Sequence, residues 1–192
     1  MKYLTNIQIL ANYEREINKF TDNLKKPSTD DSLYWLNQAV AKFVKERFNG
    51  NAPHYTSYEQ NEKRARDLVN LHREVNVAMS KQVMDDYIRF EVVYPDDFMF
   101  TLNEDVVIQS IADPSYKLST CVFECTADTF MYRINNALTD FHYRHKHARP
   151  LRIRTQNGCY LLTDGKYNIY QYTLGYLKQP NEISLDKPFE EY

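Results

Sequence analysis

The sequence predicts an α+β protein, with an N-terminal helical region followed by an antiparallel β-rich region that holds one inserted helix. Three observations carry this expectation. Apolar residues over the first third of the chain recur at spacings of three, four and seven, the period of a helix with one buried face. After Val75 they give way to short runs rich in Val, Ile, Phe, Tyr and Thr, bounded by turn residues. Two glycine turns, Asn157-Gly158 and Asp164-Gly165, then punctuate the last long β-rich stretch.

Ile7, Leu10, Ile17, Phe20 and Leu24 predict an amphipathic helix from about Thr5 to Leu24, ended by "KKPST". Thr29, Asp30, Asp31 and Ser32 offer N-caps for a second helix. Its stripe is Leu33, Leu36, Val40, Phe43 and Val44, and Gly50 lies just beyond its end. "NAPHYT" reads as a loop. Helical spacing restarts in "SYEQNEKRARDLVNLHREV" through Tyr58, Ala65, Leu68, Val69 and His72, with Ser57 and Gln60 placed as a capping box. The mixed charges Glu59, Glu62, Lys63, Arg64, Arg66 and Asp67 read as a solvated face. The helical region is thus residues 1–74.

"IRFEVVYPDDF" reads as a strand stopped by Pro95, and "DVVIQSIAD" as a second. "KLSTCVFECT" reads as a third, alternating Leu118, Thr120, Val122 and Glu124 against Ser119, Cys121, Phe123 and Cys125. A helix over about 127–142 follows, capped by Thr126 or Asp128, with Phe130, Ile134, Leu138 and Phe141 on one side. Strands Leu151–Gln156, Cys159–Thr163 and Tyr167–Leu177, joined by two type I′ turns, then make an antiparallel meander. Along the last strand Tyr167, Ile169, Gln171 and Thr173 take one face and Tyr170, Tyr172, Leu174 and Tyr176 the other. Neither face is strongly polar, so the sheet is expected to be covered on both sides, by helices or a neighbouring subunit. The β region is residues 75–178, and 179–192 form an extended C-terminal arm.

Composition bounds the function. The net charge of -2 argues against a dedicated nucleic-acid binder. No apolar run approaches the ~20 residues of a membrane helix, and the N-terminus meets acidic residues too early for a signal peptide, so a soluble protein made in a cytoplasm is expected. Cys121 and Cys125 would stand about 13 Å apart on one strand, too far for a disulfide. With Cys159 they read as reduced core cysteines. The 16 tyrosines suit surfaces that become buried against other chains.

No reaction centre can be written from the motifs. Of the four glycines, Gly50 reads as a helix stop and Gly158 and Gly165 as turns. Gly175 alone remains, so no phosphate-cradling glycine loop is available. Neither Gly-x-Ser-x-Gly nor His-Glu-x-x-His occurs. His142, His145 and His147 have spacing that could serve zinc, but Arg144, Lys146 and Arg149 beside them oppose a dication. Glu91, Asp96, Asp97, Glu104 and Asp105 read as carboxylates at strand ends and turns. The expectation is a protein without enzymatic activity, cofactor or metal. Arg144, Lys146, Arg149, Arg152 and Arg154 form the most basic stretch, a candidate contact for nucleic acid or an acidic partner. The alternative reading is therefore a nucleic-acid-binding accessory protein. Candidate contacts between chains are Tyr170, Tyr172 and Tyr176, with Ile183, Leu185, Phe189 and Tyr192 of an arm that docks on a neighbour, for instance by adding a strand to an exposed edge.

The segments "SLYWLNQAVAKFVKERFNG", "YEQNEKRARDLVNL" and "RINNALTDFHYRHKHARPLRI…TDGKYNIYQYTLGYLKQP", in that order, resemble a family of virion structural proteins from the crAss-like phages of Bacteroides hosts. Members of that family form rings between the portal and the tail. The resemblance covers about Asp31 to Pro180. It implies a ring of roughly 12 copies of the chain, built on the portal and touching other ring or tail proteins. DNA would pass through the channel without sequence-specific binding. It also implies a place at the head–tail junction of the virion, assembly in the host cytoplasm, and no catalytic residues.

Overall fold

The computed structural model of the protein describes residues 4–20, 27–49, 62–135 and 149–186. The chain divides into two compact units, Met1–Leu71 with Gln179–Tyr192, and His72–Lys178.

The first unit is helical, with α1 (Asn6–Phe20), α2 (Thr29–Asn49) and α3 (Glu62–Leu68), the last tightening into a 3-10 turn at Val69–Leu71. At the start of α1 the Thr5 N–H donates to Gln8 Oε1 at 3.3 Å, one half of a capping box. The cap of α2 is Ser28, one residue ahead of the four candidates. Its Oγ accepts the Asp31 N–H at 3.1 Å and donates to Asp31 Oδ2 at 2.7 Å. Asp30 and Asp31 then stand in the first turn, where the helix dipole favours negative charge. Val44 is buried and Leu33, Leu36 and Val40 are half-buried. Phe43 departs from the expected stripe: it is exposed, with the Arg47 guanidinium 5.0 Å over its ring. Arg47 Nε also reaches Asp67 Oδ2 at 3.2 Å and ties α2 to α3.

Helical spacing runs on through His72, yet residues His72–Asn76 are a strand. Pairing wins over local propensity here, because His72 to Asn76 lie in register against Leu177 to Thr173. The described part of the C-terminal segment belongs to the helical unit. Asn37 donates Nδ2 to the Ile183 carbonyl at 3.1 Å and accepts the Ile183 N–H at 2.9 Å, while Asn6 Nδ2 donates to the Ser184 carbonyl at 3.1 Å. Leu24, Gly50 and the Ser57/Gln60 capping box lie outside the described residues.

The second unit is a β-sandwich. Its strands are β1 (His72–Asn76), β2 (Met79–Val83), β3 (Ile88–Val93), β4 (Phe98–Ser110), β5 (Lys117–Cys121), β6 (Phe123–Glu124), β7 (Leu151–Arg154), β8 (Gly158–Thr163) and β9 (Tyr167–Lys178), with α4 (Phe130–Asn135) between β6 and β7. One sheet has the order β1-β9-β4-β5 and the other β2-β3-β8-β7-β6. All neighbours are antiparallel except the β6–β7 pair. Phe90, Val92, Cys159 and Leu161 from one sheet meet Val106, Ile108, Tyr172 and Leu174 from the other to make the main core. On the far face of the five-stranded sheet, Cys125, Leu151 and Leu162 pack with Phe123 and Phe130, which seats α4. Leu138 and Phe141 lie outside the described residues.

Three β expectations need correction. "KLSTCVFECT" is two strands, because the chain crosses between sheets at Val122: β5 pairs with β4, and β6 pairs with β7. Cys121 is accordingly exposed, and only Cys125 and Cys159 are core thiols.

The last three strands are not a meander. β7 and β8 form a hairpin, but β9 joins the opposite sheet, so Asp164-Gly165 turns a corner of the sandwich. Among the described residues only Gly165 has a positive φ, 79°, whereas a type I′ turn needs two. Gly158 is required for another reason: a Cβ there would fall 1.9 Å from the Val92 carbonyl oxygen of β3.

The strict alternation along β9 fails at Tyr170. Val107 pairs with Gln171 and Ile108 with Ile169, leaving Tyr170 as the extra residue of a β-bulge. Ile169 and Tyr172 therefore both point into the core, and Tyr170 is exposed.

Candidate functional site

The buried polar centre of the sandwich is a charged network. Arg152 on β7 donates from Nη1 to Glu104 Oε2 on β4, and from Nη2 to Glu124 Oε2 on β6 at 2.8 Å. Arg154 Nε donates to the other Glu124 oxygen at 2.8 Å. Glu104 Oε1 also accepts from the Tyr172 hydroxyl at 2.5 Å and from the Tyr94 hydroxyl at 3.4 Å. Desolvation of these hydroxyls, with the Cys159 thiol alongside, pushes the Tyr94 pKa up to about 12 and that of Tyr172 upward as well. Burial likewise raises the Cys159 thiol pKa. At the rim, the Tyr176 hydroxyl donates to Asp97 Oδ1 at 2.9 Å.

Such an arrangement pairs Arg152 with Glu104 across the two sheets and reaches the surface at Glu124 and Arg154, while Arg152 Nε is buried without a hydrogen-bond partner among the described residues. A shallow open pocket beside it is lined by Tyr94 and Arg154 together with Asp96, Thr101 and Asn157. Among the described residues no group of three or more His, Cys, Asp or Glu stands in metal-binding geometry. His142, His145 and His147 lie outside the described residues.

The structure separates the expected contact residues. Tyr172 is fully buried, Tyr176 nearly so, and Ile183 is buried in the helical unit, so none of the three presents surface. The bulge is the reason Tyr172 and Tyr170 part company. Tyr170 is exposed under Lys117 Nζ, which sits 3.4 Å from its ring centroid, and Leu185 is also exposed. Phe189 and Tyr192 lie outside the described residues, as do Arg144 and Lys146. Of the basic stretch, Arg149 is half-buried, Arg152 is buried and ion-paired, and Arg154 is exposed but tied to Glu124. Arg152 is therefore removed from any surface contact with phosphate.

Glu104 is not the strand-end carboxylate that the sequence suggests: its side chain is only 9% exposed. The signal for its burial was the alternation itself, since Glu104 precedes the inward Val106 and Ile108 by two and four residues on one strand.

The family model for "Phage tail ring protein 3/4" (CrAss_Ring_3_4) matches residues 5–188. The chain belongs to this ring protein 3/4 family. No curated relative matches it. The family match extends through α1 and into the C-terminal segment, the two stretches that carry least of the sequence resemblance. Its family makes the chain a phage structural protein of tail rings. Among the described residues no helix is long and apolar enough to cross a membrane.

Proposed function

We propose that this ring protein is a repeating subunit of a phage head–tail connector, joining the portal to tail components around the channel through which DNA passes. The observation that carries this reading is the family match over residues 5–188. Copies related by rotation meet through two different patches of the same chain and close into a ring of roughly 12. One rim docks on the portal and the other receives the next tail component. The work is assembly, with no catalytic step, no cofactor and no base-specific contact with DNA. Within the sandwich, Glu104 pairs with Arg152 and accepts from Tyr172, contacts that hold the two sheets together and suit a structural role.

The test is the native mass of the full chain, with electron microscopy, in the presence and absence of the portal protein. A closed ring of about a dozen copies, alone or templated by the portal, is the expected result. A chain that stays monomeric in both conditions overturns the reading.

A further inference from the structure

We propose that neighbouring copies join edge to edge, β5 of one copy onto β1 of the next, so that the four-stranded sheet continues from subunit to subunit. The choice of occupant, a second copy of this chain, rests on the ring reading above.

The sheet β1-β9-β4-β5 is antiparallel throughout, and four strands is an even number, so its two outer strands run in opposite directions. A copy related by rotation about an axis along the strands therefore brings its β1 beside β5 antiparallel, without being turned over. Two different edges meet in each contact, which is the head-to-tail relation that closes a ring. Both edges are five residues long, and among the described residues neither has a further neighbour. All five residues of β1 are exposed. The other sheet lacks a matching pair of edges, because β6 has only two residues.

The hydrogen-bond phase agrees. The Val77 N–H donates to the Tyr172 carbonyl at 3.0 Å, which extends the β1 register and gives the bonds to β9 to residues 77, 75 and 73. His72, Glu74 and Asn76 thus turn their backbone groups to the open side. The His72 carbonyl there takes a 2.8 Å bond from Arg73 Nη1, a side chain standing in where a strand would donate. In β5, the Ser110 N–H donates to the Tyr116 carbonyl at 3.1 Å, so residues 116, 118 and 120 bond β4 while Lys117, Ser119 and Cys121 face outward. Placing the two strands in full overlap sets Cys121 opposite His72, Ser119 opposite Glu74 and Lys117 opposite Asn76. Every outward group then meets an outward group.

The side-chain faces agree as well. Val75 is the neighbour of core residue Leu174, and Leu118 is the neighbour of core residue Ile108. In the overlapped register Val75 and Leu118 oppose each other on this same inner face, and Thr120 opposes Arg73. On the outer face Lys117 stands diagonal to Glu74, an attractive cross-strand pair. A long open edge is otherwise an invitation to uncontrolled pairing, and this join covers both edges at once.

The test is inter-copy cross-linking of the full chain carrying His72→Cys, with the native exposed Cys121 as the second thiol and a short bis-maleimide as the linker. Expected is a ladder of covalent multimers on denaturing electrophoresis that is lost when Cys121→Ser is added. Ser119→Pro removes an outward N–H at an edge-strand position where proline is tolerated, so its melting temperature is expected to stay near that of the parent while its native mass falls to that of one chain. A ring whose copies do not link through Cys121, or that survives Ser119→Pro, overturns the edge join and leaves the ring reading intact. A chain that remains monomeric with and without the portal overturns both.

Discussion

Arg152 on β7 and Glu104 on β4 form an ion pair across the interior of the sandwich, with side chains only 7% and 9% exposed. Removing one partner strands the other charge in the core. Arg152→Ala is expected to destabilise the protein by about 3–5 kcal/mol in urea denaturation. The double variant Glu104→Leu/Arg152→Met, which leaves no orphan charge at the pair, is expected to be more stable than Arg152→Met alone. Equal loss in the two would show that the pair is not coupled.

The tyrosines that face Glu104 give the sandwich an alkaline limit. Tyr94 titrates near 12 in the fold because it is buried. An unfolded tyrosine titrates near ~10. A folded pKa above the unfolded one means that the neutral hydroxyl is stabilised. That stability is complete below about pH 10 and is lost as the pH rises toward about 12. Melting temperature is expected to fall across that window, with tyrosinate absorbance rising in step with unfolding. Tyr172→Phe, which deletes a 2.5 Å bond to Glu104, is expected to lower stability at neutral pH by about 1–3 kcal/mol.

The glycines rank by what surrounds them. Gly158→Ala drives a methyl into the Val92 carbonyl and must push β8 from β3, so it is expected to be the most damaging of the three. Gly175→Ala meets the Asn103 side chain, 1.7 Å from the new methyl, and is expected to be rescued in part by Asn103→Ala. Gly165→Ala has open space and pays only for its positive φ, about 1 kcal/mol. Thermal denaturation of the three variants checks the order.

Asn37 holds both backbone groups of Ile183, so Asn37→Ala is expected to cost about 1–3 kcal/mol and to speed amide exchange around residues 181–186. Exchange in the sandwich strands is expected to stay unchanged.

The legible parts of the fold were those where period and burial agree. The α2 stripe, apart from Phe43, and the apolar run of β3 are read straight from spacing, and Pro95 stops β3 as expected. What could not be read depends on partners distant in sequence. "LVNLHREV" keeps helical spacing, but β9 recruits its second half as a strand. Val122 looks like any strand residue, and only the separate partners of β5 and β6 reveal it as a crossing. Nothing local marks Tyr170 as a bulge, so alternation placed it beside Tyr172. The charged network was hidden for the same reason, since Glu104 and Arg152 are 48 residues apart in the chain.

His72 opens the sandwich and pairs with Leu177, one residue before its close. Entry and exit of the whole β unit are therefore adjacent, while the helical unit is assembled from the stretches on either side of it in sequence. A module threaded into its host in this way behaves as a cassette: excising residues 72–178 leaves two ends that a brief linker can reconnect. The helical host keeps contacts of its own across that junction, among them the hold of Asn37 on Ile183, and is expected to stay folded when the insert is removed.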